Sequence, residues 1–124
     1  MKDTEDIIWD TITNSAKQRF DYKSFEEGIP KMGDRNVAEN ILFMIIAGLA
    51  SGETKEGLAA RLNTHMNMLG YIFEEHYLEK LLERKEEELK TEIIVTQFAL
   101  AMLEQGTHPV AILNGVHQML KQLN

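Results

Sequence analysis

The side chains of this chain with the clearest capacity for chemistry are four histidines, several adjacent glutamates and three serines, and there is no cysteine. His65 and His76 are eleven residues apart, so on a continuous helix they share a side but stand about 16 Å from each other. That distance forbids one metal held by both within a chain. His76-x-x-Glu79 reverses the Glu-x-x-His order that bundle di-iron sites use on two helices, and it occurs once. His108 precedes Pro109 and reads as a helix-entry residue, while His117 falls off the apolar stripe of its segment. Glu26-Glu27 and Glu74-Glu75 are adjacent, so on helices their carboxylates point about 100° apart instead of converging on a substrate as acid and base. Ser15, Ser24 and Ser51 have no histidine near them in sequence, and none stands on a strand-to-helix elbow. With no glycine loop to cradle a phosphate either, the sequence implies no catalytic residue, no cofactor and no metal, and it points away from an enzyme.

The elements that carry these residues are helices. From Leu58 to Gln105 the chain has no proline and a single glycine, Gly70, while apolar residues recur every three or four positions. A first helix is expected from Thr4 to Arg19, with Asp3 or Thr4 as N-cap, a stripe at Ile8, Ile12, Ala16 and Phe20, and Trp9 at its margin. From Asp21 to Asp34 the pattern breaks at Gly28, Pro30 and Gly33, with Ser24 and Glu27 able to cap one short turn; this is where the sequence predicts mobility. A second helix should begin at Asp34 or Asn36 and end at Ser51-Gly52. Its run Ile41-Leu42-Phe43-Met44-Ile45-Ile46 is apolar on every side and demands enclosure by other elements. At ten residues, Ile41 to Ala50 is too short to span a bilayer.

Thr54 opens a third segment in which Leu58, Leu62, Met66, Leu69, Phe73, Tyr77 and Leu81 keep helical spacing. Unbroken from Lys55 to Arg84 it would measure about 45 Å, against a diameter of roughly 35 Å for a compact domain of this length. Either it bends, near Asn63-Thr64 or at Gly70, or it projects and needs a partner. Glu83 to Glu92 consists almost wholly of strong helix formers and reads as a solvated helical face with Glu86 and Lys90 paired. Leu89, Ile93, Thr96, Leu100 and Leu103 follow as a bundle seam, Gly106 ends that helix, and a last helix after Pro109 should bury Val110 or Leu113 with Val116, Leu120 and Leu123.

One stretch carries a functional pattern. In Thr54 to Asn63 the small Ala59 sits where the two helices of a helix-turn-helix cross, Asn63 can take the left-handed turn, and Leu69 and Ile72 fall where the second helix packs back. Over about Asn36 to Glu104 the chain resembles winged-helix repressors of the multiple-antibiotic-resistance type. Leu81-Leu82-Glu83-Arg84 stands where their Gly-Leu-Ile-Glu-Arg leads into the wing, and Ile93-Ile94-Val95-Thr96 where the returning strand belongs. The resemblance implies a DNA-binding regulator in which His65 and Asn67 read the nucleic acid. Three departures bear on it: Lys80 replaces the family's glycine, His76 replaces a buried leucine, and Lys85 to Lys90 has no residue able to turn a hairpin. Thr64 to Glu79, the recognition helix under this reading, has no lysine or arginine and carries Glu74, Glu75 and Glu79.

Composition agrees with that last point. Thirteen basic residues against twenty acidic give a net charge of −7, which disfavours nucleic acid and anionic membrane surfaces. The start, Met1-Lys2-Asp3-Thr4-Glu5-Asp6, is acidic where a signal peptide is basic and then apolar, and together with the missing cysteines it points to the cytoplasm. We therefore expect an all-α bundle of about five helices, two of them long, with a helix-turn-helix-like central pair, forming a single domain over residues 1–124. The expected role is that of a small acidic regulatory or adaptor protein that forms a homodimer and binds an unknown protein partner, with no membrane contact. Most of the seven methionines read as core filler at helical spacing, and the alternative, an adaptable docking surface, centres on Met66, Met68 and the nearby Tyr71. A transcriptional regulator derived from a helix-turn-helix or winged helix is the alternative, with direct DNA contact disfavoured.

Overall fold

The computed structural model describes residues 3–19, 35–70, 73 and 76–123. These form six helices, and among the described residues there is no strand. They are α1 (Thr4–Arg19), α2 (Arg35–Ala50), α3 (Lys55–Met68), α4 (Tyr77–Glu88), α5 (Lys90–Glu104) and α6 (Pro109–Leu123). The expected irregular stretch from Asp21 to Asp34, with Phe20, lies outside the described residues.

Local chemistry sets most of the boundaries. The Asp6 N–H donates to Asp3 Oδ1 (2.9 Å) at the head of α1, and the Gly57 N–H donates to Thr54 Oγ1 (3.0 Å) at the head of α3. Glycines with left-handed φ stop three helices: Gly52 (+81°), Gly70 (+89°) and Gly106 (+81°). At the end of α2 the Glu53 N–H reaches Gly48 O, and at the end of α5 the Thr107 N–H reaches Met102 O; both are six-to-one closures that satisfy otherwise orphaned carbonyls. Pro109 then opens α6, preset for the first helical turn.

Gly70 resolves the length problem. Lys55 to Arg84 is two helices, α3 and α4, folded back on each other, and the ion pair from Lys55 at the start of α3 to Glu86 near the end of α4 (3.3 Å) fixes them as an antiparallel hairpin. The two long helices expected from the sequence are thus replaced by six of 12 to 16 residues. The glutamate-rich stretch is helical to Glu88 and again from Lys90, broken at Leu89 (φ −104°, ψ 18°). Because Leu89 still donates to Lys85 O and accepts from Ile93, the break is a kink, and it turns the fully buried Leu89 into the core. Glu86 therefore pairs with Lys55, and Glu92, expected on a solvated face, is buried.

Side chains from all six helices build one core cluster. Its centre is α5, which packs against α1, α2, α4 and α6 and buries Thr91, Glu92, Ile93, Val95, Thr96 and Ala99. Of the expected seam, Leu89, Ile93 and Thr96 are inside, as part of a helix enclosed on several sides, while Leu100 and Leu103 are half-buried. From α1 the buried stripe is Ile8, Ile12 and Ala16, as its spacing predicts. From α6 it is Ile112, Val116 and Leu120: Ile112 takes the place expected of Val110 or Leu113, of which the first is exposed and the second half-buried, and Leu123 at the far end is exposed. Helices α5 and α6 form a second antiparallel hairpin, close enough at Gly115 that a Cβ there would stand 2.8 Å from Phe98 Cζ and push the ring aside. The charge pair of Lys17 with Glu39 and the contact of Trp9 with Phe43 further along α2 show that α1 and α2 also run antiparallel.

The helix-turn-helix expectation does not survive. Asn63 lies inside α3 and makes no turn, Leu69 is 48% exposed, Ile72 lies outside the described residues, and Thr64 to Glu79 is the end of one helix, a connection and the start of the next. Ile93 to Thr96, the presumed returning strand, is a turn of α5. No helix among the described residues is long and apolar enough to cross a membrane.

The bend gives a prediction of sign. In a continuous helix Gly70→Ala would stabilise by about 1 kcal/mol, because alanine outranks glycine in helix interiors. At φ +89°, with open space around the position, the same change should instead destabilise by about 1–2 kcal/mol, and Gly70→Asn by less, as measured by urea denaturation.

Candidate functional site

The residues expected to form a docking surface are separated by the fold. Met66 is 1% exposed, lies on the inner face of α3 with Leu58 and Leu62, and belongs to the core. It is corrected from a partner-binding residue to a structural one. Met68, two positions on, points outward and is 81% exposed, with the exposed Leu69 beside it. Tyr71 lies outside the described residues. His65 is half-buried and Asn67 exposed on α3, near its end.

Beside this tip the α3–α4 hairpin opens into a groove of about 270 Å³. One wall is the stripe Glu56, Ala59, Ala60 and Asn63, spaced as one helix face; the small alanines leave the room. The other wall carries Phe73, His76, Leu78 and Glu79, and Phe73 stacks on Tyr77 (5.4 Å between centroids, 8° between planes). His76 is the one non-glycine residue with positive φ (+65°) among the described residues. It heads α4 without capping it through its side chain, and its Nδ1 stands 3.2 Å from Glu79 Oε2. A histidine–carboxylate pair can move a proton, but both side chains are open to water, and among the described residues the groove is lined by no hydroxyl or thiol that could act as nucleophile. No group of three histidines or carboxylates that could hold a metal occurs among the described residues.

A second depression, of about 350 Å³, lies between α1 and α2. Its floor is aromatic: Trp9 and Phe43 meet edge to face, with centroids 5.9 Å apart and planes at 66°. Phe43, expected inside an enclosed helix, is 37% exposed. Asp6, Asp10 and Glu39 border it, and Lys17 pairs with Glu39. The sequence does place Trp9 at the edge of the α1 stripe. It holds no signal for Phe43, because an all-apolar run does not say which side its neighbours leave uncovered.

Buried polar groups lie elsewhere. Lys85 is nearly enclosed and pairs with Glu88 (2.6 Å), Glu92 is fully buried in α5, and the hydroxyls of Ser15 and Thr96 have no hydrogen-bond partner among the described residues. At the head of α6 the Val110 N–H donates to His108 Nδ1 (3.2 Å), the helix-entry role that the sequence suggests for His108.

Compared with family models, with curated proteins and with solved structures, the chain matches none, so the reading of these surfaces rests on its own residues.

Neighbouring methionines with opposite surroundings allow a sharp comparison. Met66→Lys buries an ammonium in an apolar core and should destabilise by about 3 kcal/mol or more, enough to unfold a small domain at 37 °C. Met68→Lys should change stability by no more than about 0.5 kcal/mol. Thermal and urea denaturation of the two variants reads both.

Proposed function

We propose that this protein is a small acidic cytoplasmic adaptor or regulator that works by binding another protein, without chemistry of its own, and that it also associates with a second copy of itself. The observation that carries the reading is the pairing of large apolar side chains at the surface: exposed Phe43 against the partly buried Trp9, and Met68 beside Leu69. Single exposed apolar residues are ordinary, whereas neighbouring ones with an aromatic member are the composition of protein-binding surfaces. Met68 and Leu69, at the tip of a hairpin, are the residues we assign to self-association.

The charge on α3 favours a protein over DNA. Its two cations, Lys55 and Arg61, are each paired with a carboxylate, Glu86 at 3.3 Å and Glu53 at 2.8 Å. Binding to duplex DNA draws on cations that can neutralise phosphates, and a helix whose cations are already matched supplies few.

Capture on the immobilised protein from its native host, with and without nuclease and followed by mass spectrometry, tests the proposal. One protein should be retained in comparable amount in both arms, and light scattering of the bait alone should give about twice the 14.2 kDa chain mass. Retention that disappears with nuclease, or salt-sensitive binding of the pure protein to random duplexes tighter than about 10⁻⁴ M, would replace this reading by the DNA-binding one.

A further inference from the structure

The outer face of α5, with Ile94, Gln97 and Ala101, is the side of that helix left in water, and its residues are ordered so that the face fits a copy of itself. We propose that two copies of the chain pair through this face, antiparallel about a twofold axis at Gln97. The inference rests on the self-association proposed above and gives that contact its axis; Met68 and Leu69, at the tip of the α3–α4 hairpin, then lie off the axis as outlying contacts.

Three observations select a second copy as the occupant. From Ile93 to Leu120 there is no lysine, arginine, aspartate or glutamate other than Glu104, in a chain that is 27% charged overall, so the middle of the exposed face is an uncharged strip. Phe98 flanks it, half-buried against Gly115, and Ala111 and Gln118, on the Gly115 side of α6, extend the surface without adding charge. Two chains of net charge −7 repel each other over most of their surfaces, and a strip without carboxylates is where that repulsion is least. Second, the ends of the strip carry opposite signs. Lys90 stands seven residues before Gln97 and Glu104 seven after it; both are exposed, and neither forms an ion pair within the chain. A twofold axis at Gln97 sets each Lys90 against Glu104 of the other copy, over a strip about 21 Å long, so one symmetry makes two ion pairs. The pairing favours Glu104 in particular, because at the last turn of α5 its own helix dipole opposes an anion. Third, the sizes match: Ile94, three residues before the axis, falls against the small Ala101, four residues after it on the other copy. A foreign helix would have to reproduce both the order of signs and the order of sizes, whereas a second copy does so by symmetry.

Reversing the two charges one at a time and then together tests the axis. By light scattering the chain should have about twice its 14.2 kDa mass. Lys90→Glu or Glu104→Lys alone sets like charges opposite each other at two places and should raise the dimer dissociation constant about tenfold. The double variant restores opposite signs and should return to within about threefold of the unaltered chain, a rescue that neither a folding defect nor a contact elsewhere would produce. Because the chain has no cysteine, Gln97→Cys adds a single thiol at the axis. Helices packed about 8–10 Å apart bring facing Cα atoms within reach of a disulfide, so mild oxidation should give a covalent dimer on a non-reducing gel. Circular dichroism confirms the fold of each variant. A double variant no tighter than the weaker single one, or a Gln97→Cys chain that dimerises without cross-linking, overturns the inference and leaves self-association in place at another surface. An unaltered chain that stays monomeric at high micromolar concentration refutes self-association itself, and this axis with it.

Discussion

The enclosure of α5 is the constraint on which the rest of the structure depends. Four helices, α1, α2, α4 and α6, pack on it, and residues on several of its sides are buried, among them Ile93, Val95, Thr96 and Ala99. Only the outer face of α5, with Ile94, Gln97 and Ala101, stays exposed, so each neighbour must offer the rest of the helix an apolar stripe, and the neighbours spend those stripes inward. What they leave outside is the surface available for recognition. Burial of each isoleucine or leucine contributes roughly 1.5–3 kcal/mol, which favours this arrangement strongly enough to carry a fully buried Glu92 and Thr96 within the same helix.

Glycine lets the helices approach closely at two points. At Gly48 an added Cβ would lie 2.7 Å from Leu58 Cδ1, and at Gly115 2.8 Å from Phe98 Cζ, so a side chain at either position would have to displace the end of its neighbour. The kink at Leu89 then swings α4 off the axis of α5 and lets the α3–α4 hairpin lie against α2. The hairpin ends in Met68 and Leu69, and the gap it leaves between its arms is the His76 groove. In the α1–α2 cleft, Ile8, Ile12, Ile41 and Ile45 are buried in the core, and Trp9 and Phe43 mark where the flanks of the two helices diverge toward solvent.

Much of this was legible wherever one residue type decided the matter locally. Asp3, Thr54, Gly52, Gly106 and Pro109 set helix ends through caps and backbone preferences that act within a few residues. The stripe of α1 follows from spacing alone. Legibility failed where tertiary packing decided between candidates. Helical spacing did put Met66 on the stripe of Leu58 and Leu62 and left Met68 off it, but the same stripe also claimed Leu69, which lies outside the helix and is exposed. Glu92 sits in a run of glutamates and lysines that reads as solvated, yet the kink at Leu89 turns its part of the chain inward. Gly70 was one of two bend points the length argument allowed, and it prevailed because a left-handed φ is nearly strain-free for glycine, whereas Asn63 already had helical neighbours on both sides. Of the candidate sites, the pairing of His76 with Glu79 was legible from their spacing of three, whereas the exposed flank of Phe43 was hidden by the apolar residues around it.

Amide hydrogen exchange followed by NMR tests the central claim most directly, because protection reports which helices open only when the whole domain does. With α5 as the enclosed axis, the slowest amides should lie between Ile93 and Ala99 and exchange with the free energy of global unfolding, while those flanking Gly70 should exchange through smaller, local openings. Amides of Ile93 to Ala99 exchanging as fast as those beside Gly70 would contradict it.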